Sequence, residues 1–183
     1  MAKNVGKIFE QDFKKSIPPE YFHYRLKDDT SGYSGVNNPC DFMIYKTPHL
    51  FMLELKSCKG KSIPLDRLRE NQIRGLYKSS LNHEIYGGFV INFRDLEETY
   101  FLSVYEVVRF IDEGGRKSLP VEFCRKYGNR IEQTLKRTRY SYNLGAWLGG
   151  YYEGIVLTGN KGRTRTPVSS SRHSSRVVKN DRS

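Results

Sequence analysis

Three residues of this chain have the types and spacing to do chemistry together: Asp41, Glu54 and Lys56. Glu54 and Lys56 stand two apart in Leu50-Phe51-Met52-Leu53-Glu54-Leu55-Lys56, a run with the composition of a strand. Residues two apart on a strand share a face. The carboxylate and the ammonium therefore lie side by side, while Leu53 and Leu55 point the other way into a core. Charged groups amid so apolar a strand are costly unless they are paired or hold a metal. Asp41 opens the preceding strand, and a hairpin through Lys46-Thr47-Pro48-His49 can carry it towards Glu54. Two converging carboxylates make a hard oxygen site suited to Mg2+. A lysine beside them can orient or deprotonate a water and offset the charge of a phosphate. The chemistry expected of this set is metal-assisted phosphodiester hydrolysis, with the ion as Lewis acid and activator of the nucleophile. The bland alternative is a surface ion pair between Glu54 and Lys56 on an edge strand.

Two further side chains fit the same site. Glu10 lies on an amphipathic first helix and can add a third carboxylate to the metal shell. Gln72 lies on the helix that follows the Glu54 strand and can hydrogen-bond the attacking water or a phosphate. Read alone, each is equally a solvated helix residue.

The elements that must position these groups follow from periodicity. Val5, Ile8, Phe9, Phe13 and Ile17 have helical spacing, and Pro18-Pro19 ends that helix. Tyr21 to Asp29 reads as a short strand, and Thr30 to Pro39 has loop chemistry. Cys40 to Tyr45 and Leu50 to Ser57 form the hairpin. Pro64 to Ser80 reads as a helix, Gly88 to Phe93 and Glu98 to Val104 as strands, and Tyr105 to Glu113 as a helix closed by Gly114-Gly115. Val121 to Arg130 has helical character, whereas Tyr140 to Leu157 shows no clean period, with Trp147 as a core residue. This order predicts an α/β fold, a mixed central sheet flanked by helices.

Bulk composition narrows the partners. The chain has 183 residues and a formal net charge of +11, with a sequence pI near 9.6. Such an excess of cations attracts a polyanion. From Gly159 to Ser183 seven Lys and Arg stand against Asp181 alone, so this stretch carries +6 of the +11. Rich in Ser and Thr and poor in large apolar groups, it reads as a disordered arm, with residues 1–157 as the folded domain and 158–183 as the tail. Lys161, Arg163 and Arg165 are its first cations, suited to phosphate contact by counterion release. Lys136, Arg137 and Arg139 lie beside Tyr140 and Tyr142, either as a DNA-binding mix of cations and aromatics or as the cationic face of a helix.

Other classes are disfavoured. No apolar run reaches the roughly 20 residues of a membrane-spanning helix. Cys40, Cys58 and Cys124 are three widely spaced cysteines, read as reduced thiols in a cytoplasmic protein. The four histidines lack metal-ligand spacing, and Gly145-Ala146-Trp147-Leu148-Gly149-Gly150 lacks the layout of a phosphate loop, so no nucleotide cofactor is expected.

Pro39-x-Asp41, with twelve residues between Asp41 and Glu54-x-Lys56, resembles the P-D…(D/E)-x-K signature of restriction-endonuclease-like nucleases. A longer ordered set is more specific. Gly6-Lys7-x-Phe9-Glu10, Asp41-Phe42, Glu54-Leu55-Lys56-Ser57, Pro64-Leu65-x-x-Leu68-x-x-x-Gln72, Gly88-Phe89-Val90-Ile91, Tyr100-Phe101-Leu102 and Gly115-Arg116-Lys117-Ser118 together resemble RecU-type Holliday junction resolvases of Gram-positive bacteria and their phages. That resemblance implies the restriction-endonuclease-like core and a homodimer that nicks two opposed strands of a four-way DNA junction with Mg2+ or Mn2+. It implies Glu10, Asp41 and Glu54 at the metal, Lys56 as the catalytic lysine, Gln72 as the helix glutamine, and Arg116 and Lys117 near the DNA. The chain departs from the pattern in two places. The segment before Asp41, about Pro19 to Pro39, is short for the family's stalk, and Cys40 stands where the family has Thr-Asp before the first site strand. Two other readings stay open: a nuclease of the same core acting on duplex, flaps or ends, and a DNA-binding protein without catalysis.

Overall fold

The computed structural model describes residues 5–26 and 38–158, with side chains placed as far as Tyr151. Helix α1 (Val5–Lys15) turns Phe9 and Phe13 inward, one turn apart on a single face. Strand β1 (Phe22–Arg25) follows, then β2 (Phe42–Lys46) and β3 (His49–Cys58), the hairpin expected from the sequence. A short β4 (Ser62–Pro64) and a single 3-10 turn at Leu65–Arg67 lead into α2 (Glu70–Ser80). Next come β5 (Ile85–Phe93), β6 (Glu98–Ser103), α3 (Val104–Asp112), β7 (Ser118–Pro120), α4 (Val121–Tyr127) and β8 (Asn129–Arg130). A hairpin of β9 (Gln133–Lys136) and β10 (Arg139–Tyr142) precedes α5 (Leu144–Thr158).

Six strands form one sheet in the order β1-β2-β3-β5-β6-β8. The β3–β5 pair is parallel and the other described pairs are antiparallel, so the sheet is mixed, with α2 as the crossover between its parallel strands. Strand β3 lies inside this sheet and is buried along most of its length. Its odd residues Phe51, Leu53 and Leu55 pack with Phe9, Phe13, Phe101 and Trp147 under α1 and α5. Met52 and Cys58, on the even face, join Leu76, Phe89, Val107 and Cys124 under α2, α3 and α4. A two-sided core of this kind makes the helix-sheet-helix sandwich. Close packing fixes the strands: a Cβ at Gly88 would lie 2.4 Å from the Leu102 carbonyl oxygen across the β5–β6 pair.

The structure corrects several expected boundaries. The helix read from Pro64 begins only at Glu70. Pro64 belongs to β4, whose partner is β7, and the Leu65 N–H donates to the Lys117 carbonyl at 3.0 Å. Arg69 keeps an extended ψ of 136°, so the helical turn cannot reach back through it. The helix read over Val121 to Arg130 stops at Tyr127, because Asn129 and Arg130 pair with β6. Lys136, Arg137 and Arg139 lie on a hairpin and not on a helix, since Lys136 pairs with Arg139 across the turn. Helix α5 gave no periodic signal because apolar, small and aromatic residues follow one another along most of its sequence; Trp147 in it is buried, as expected. The arm from residue 159, with Lys161, Arg163 and Arg165, and the 27–37 segment of the supposed stalk lie outside the described residues. Among the described residues no helix is long and apolar enough to cross a membrane.

Candidate active site

Strand β2 begins with an irregularity that aims Asp41. Phe42 faces Leu53 in the ladder, and the Asp41 N–H donates to the same Leu53 carbonyl at 3.0 Å. Two residues of the incoming chain thus oppose one on β3, in the manner of a β-bulge, a device that re-aims a side chain. The Asp41 carboxylate then accepts the next available donor of β3, the Leu55 N–H, at 2.7 Å. Its own carbonyl accepts from Leu26 at the end of β1, at 2.9 Å. Asp41 is therefore held from two sides where β2 stops and β3 continues.

Glu54 is only 3% exposed. Its Oε1 accepts from Lys56 Nζ at 2.7 Å and from Gln72 Nε2 at 2.6 Å. Gln72 sits in the first turn of α2, which packs on β5 and so overhangs the even face of β3. Burial, and next the neighbouring Asp41 carboxylate, push the Glu54 carboxyl up to about 7 against the pull of Lys56 and Gln72. One lysine is too little positive charge for two crowded carboxylates in so dry a place. Close by, burial and then Glu54 and Asp41 push the Cys40 thiol up to about 12.

The donor set fits a hard divalent cation. Two carboxylates converge, their repulsion would be relieved by positive charge, and Gln72 Oε1 is a buried acceptor with no hydrogen-bond partner among the described residues. The expected third carboxylate is not brought to this pair. Among the described residues no three of His, Cys, Asp and Glu gather into a metal-holding group. The Glu10 carboxylate instead pairs with Arg25 at 2.7 Å, in a polar cleft shared with Lys7, Gln11 and Lys14. Arg25 on β1 engages the Glu10 carboxylate instead.

The cations divide into free and engaged. Arg116 and Lys117 are exposed on the loop before β7, and the Lys117–Leu65 bond ties that loop to the approach of α2. Lys136 and Arg137 are exposed at the tip of the β9–β10 hairpin. Arg139 is engaged: its Nε donates to Asp12 at 2.5 Å and its Nη2 to Gln11 at 3.2 Å. Two features escaped the sequence reading. Arg67 donates to the Ser57 carbonyl at 2.9 Å, one residue beyond Lys56. The cleft around Glu10 was also missed, because its members come from α1 and β1 and only the fold joins them. Neither carries a sequence signal beyond a surface cation.

The chain is similar to known proteins. A family model described as Recombination protein U matches residues 10–142. The chain is 27% identical to the SPbeta prophage-derived uncharacterized protein YotM of Bacillus subtilis, over 81% of this chain and 87% of that one. It is 28% identical to the Holliday junction resolvase RecU of Streptococcus pneumoniae serotype 19F, over 68% of this chain and 57% of the relative. It therefore spans little more than half the length of that RecU relative. Among solved structures, Hjc, a Holliday junction resolvase of Archaeoglobus fulgidus, superposes at a TM-score of 0.45 with 13% identity, covering 68% of this chain and 90% of that one.

Proposed function

The chain belongs to the RecU family, and on that premise we propose that it is a structure-selective endodeoxyribonuclease that resolves four-way DNA junctions. The observation that carries this reading is the buried Glu54 carboxylate, joined at once to Lys56 and Gln72 and crowded by Asp41. Such an arrangement is costly as mere structure and is suited to a cation and a phosphate.

Asp41 and Glu54 would hold Mg2+ or Mn2+, which supplies Lewis-acid chemistry at the scissile phosphate. Lys56 Nζ, 2.7 Å from Glu54, orients the attacking water and offsets charge on the phosphate. Gln72 fixes the Glu54 rotamer through Nε2 and leaves Oε1 to accept a hydrogen bond from water. Glu10 joins the metal shell only by leaving Arg25. Arg116, Lys117, Lys136 and Arg137 take DNA phosphates, with the arm from Lys161 adding sequence-independent attraction. A homodimer matches the two-fold substrate and places two such sites on opposed strands.

Substrate competition tests the proposal. A labelled mobile four-way junction is offered with Mg2+ beside linear duplex and a flap of the same sequences. Paired symmetric nicks on the junction, little affected by excess duplex, support a resolvase. Equal cutting of all three supports a nuclease of broader selectivity, and tight binding without cutting supports a DNA-binding protein.

A further inference from the structure

We infer that the β9–β10 hairpin is a finger that enters branched DNA, with Leu135 covering the base-pair face exposed at the branch and Lys136 and Arg137 holding the flanking phosphates. This rests on the reading of the chain as a junction nuclease.

The hairpin is short and largely outside the core, yet it is anchored from three sides. Gln133 ends a buried polar chain that starts at Ser57, the residue after Lys56 on β3, on the opposite face of the sheet. Ser57 Oγ, one residue past Lys56, donates to Asn92 at 3.3 Å; Asn92 Nδ2 donates to Thr99 at 2.8 Å; Thr99 Oγ1 donates to Gln133 at 2.5 Å. Helix α1 holds the second strand. Asp12, 3% exposed, accepts from Arg139 Nε and from the Tyr140 N–H, and Ser16 Oγ accepts from the Tyr142 N–H at 3.0 Å. On the third side the Tyr140 hydroxyl donates to Glu97 at 2.7 Å, in the turn between β5 and β6. So many satisfied polar contacts give a surface hairpin one orientation.

What is held so firmly is a specific tip. Leu135 pairs with Tyr140 and Gln133 with Tyr142, so all four share one hairpin face. Gln133 and Tyr142 turn that face inward over the sheet, while Leu135 overhangs it and is 51% exposed. Exposed Lys136 and Arg137 follow it, and no ion pair to either exists among the described residues. Arg137 has a φ of 60°, a left-handed conformation that a glycine would adopt without strain, so a cation occupies the turn where conformation alone favours another residue. The polar chain crosses from β3 through β5 to β6, two strand spacings or about 10 Å, and so ties the base of the hairpin to the strand that carries Glu54 and Lys56.

The chemistry of the tip separates two kinds of DNA. Cations attract any phosphate backbone equally. An apolar side chain gains nothing from the outside of a continuous duplex, whose base faces are stacked. At a branch a base-pair face is open, and a leucine set against it removes apolar surface from water and parts the strands. The exposed leucine beside two cations is thus a selector for branched DNA, and the cations supply affinity without selectivity.

The test measures binding of the full chain to a fluorescent four-way junction and to linear duplex of the same sequence, in EDTA so that neither is cut. Leu135→Ala and Leu135→Ser should weaken junction binding about five- to tenfold, the loss of part of a leucine's transfer free energy, and leave duplex binding unchanged. Lys136→Ala with Arg137→Ala should weaken both substrates by similar factors and lower the salt slope by about 2. With 2-aminopurine at the branch, the fluorescence rise given by the parent protein should be lost in Leu135→Ala. Leu135 variants that bind the junction like the parent, or that weaken both substrates alike, overturn the finger and leave the nuclease reading standing. A parent protein with no preference for the junction overturns the resolvase reading and the finger with it.

Discussion

Gln72 Nε2 meets Glu54 Oε1 at 2.6 Å, joining the first turn of α2 to the middle of β3. Without this bond Lys56 would be the one hydrogen-bond partner left to Glu54 among the described residues. Groups that orient a metal ligand are worth about 10- to 100-fold in metal affinity or activity. Gln72→Ala should therefore lower cleavage by about that factor, while the thermal midpoint moves little. Excess Mn2+ should restore part of the activity, as it would for a weakened metal site. A variant that cuts as fast as the parent shows that Glu54 needs no second partner.

Glu54 also predicts a pH dependence of stability in metal-free protein. Its carboxyl, ordinarily near 4.5, is held at about 7 in the fold, first by burial and then by Asp41. The folded chain keeps this proton where the unfolded chain has released it. The contribution is fully present below pH 4.5, is lost as pH rises to about 7, and is absent above. For a shift of this size the loss is on the order of 3 kcal/mol. Urea unfolding in EDTA should show the stability of Glu54→Gln rising relative to the parent between pH 4.5 and 7. A constant difference across that range contradicts the assignment.

Asp12 and Arg139 tie the hairpin to α1, so their variants should act on stability. Arg139→Ala leaves Asp12 buried with only the Tyr140 N–H as a described partner, at 3.2 Å. Because Arg139 is itself 41% exposed, the loss is a discounted one, about 1–2 kcal/mol by urea unfolding. Lys136→Ala, at the exposed tip, should leave stability within about 0.5 kcal/mol and weaken DNA binding instead. Equal effects of the two variants on unfolding would contradict this division of the basic residues.

Much of the site was legible because its signal is local. Glu54 and Lys56 sit two apart on one strand and Asp41 lies across one hairpin, so alternation and a turn suffice to bring them together. The core fold was legible for the same reason, since β2, β3, β5, β6 and α3 each carry their own period. What escaped reading depends on pairing between distant segments. Arg69 looks helical until β4 is seen to pair with β7. Arg139 reads like its basic neighbours, and its bond to Asp12, far away in sequence, shows only in the fold. The partner that Glu10 has in the fold, Arg25 on β1, carries no signal in the sequence. The sequence marks each residue's chemistry, but the partner that engages it is set by tertiary contact.

The three cysteines should be silent in the native protein. Burial raises all three thiols, Cys40 and Cys124 to about 12, and the thiolate is the reactive form. A thiol-reactive dye at pH 8 should label none within minutes and all three in denaturant. Rapid labelling of Cys40 without denaturant would mean that the chain around Asp41 opens to solvent.

The most direct measurement of the central claim is cleavage of a labelled four-way junction with Mg2+ by the parent protein, Asp41→Asn and Lys56→Ala, with junction binding measured in parallel in EDTA. If Asp41, Glu54 and Lys56 form the hydrolytic site, both variants should lose cleavage by at least about 100-fold while binding stays within about threefold of the parent. Cleavage retained by either variant, or binding lost together with cleavage, would contradict it.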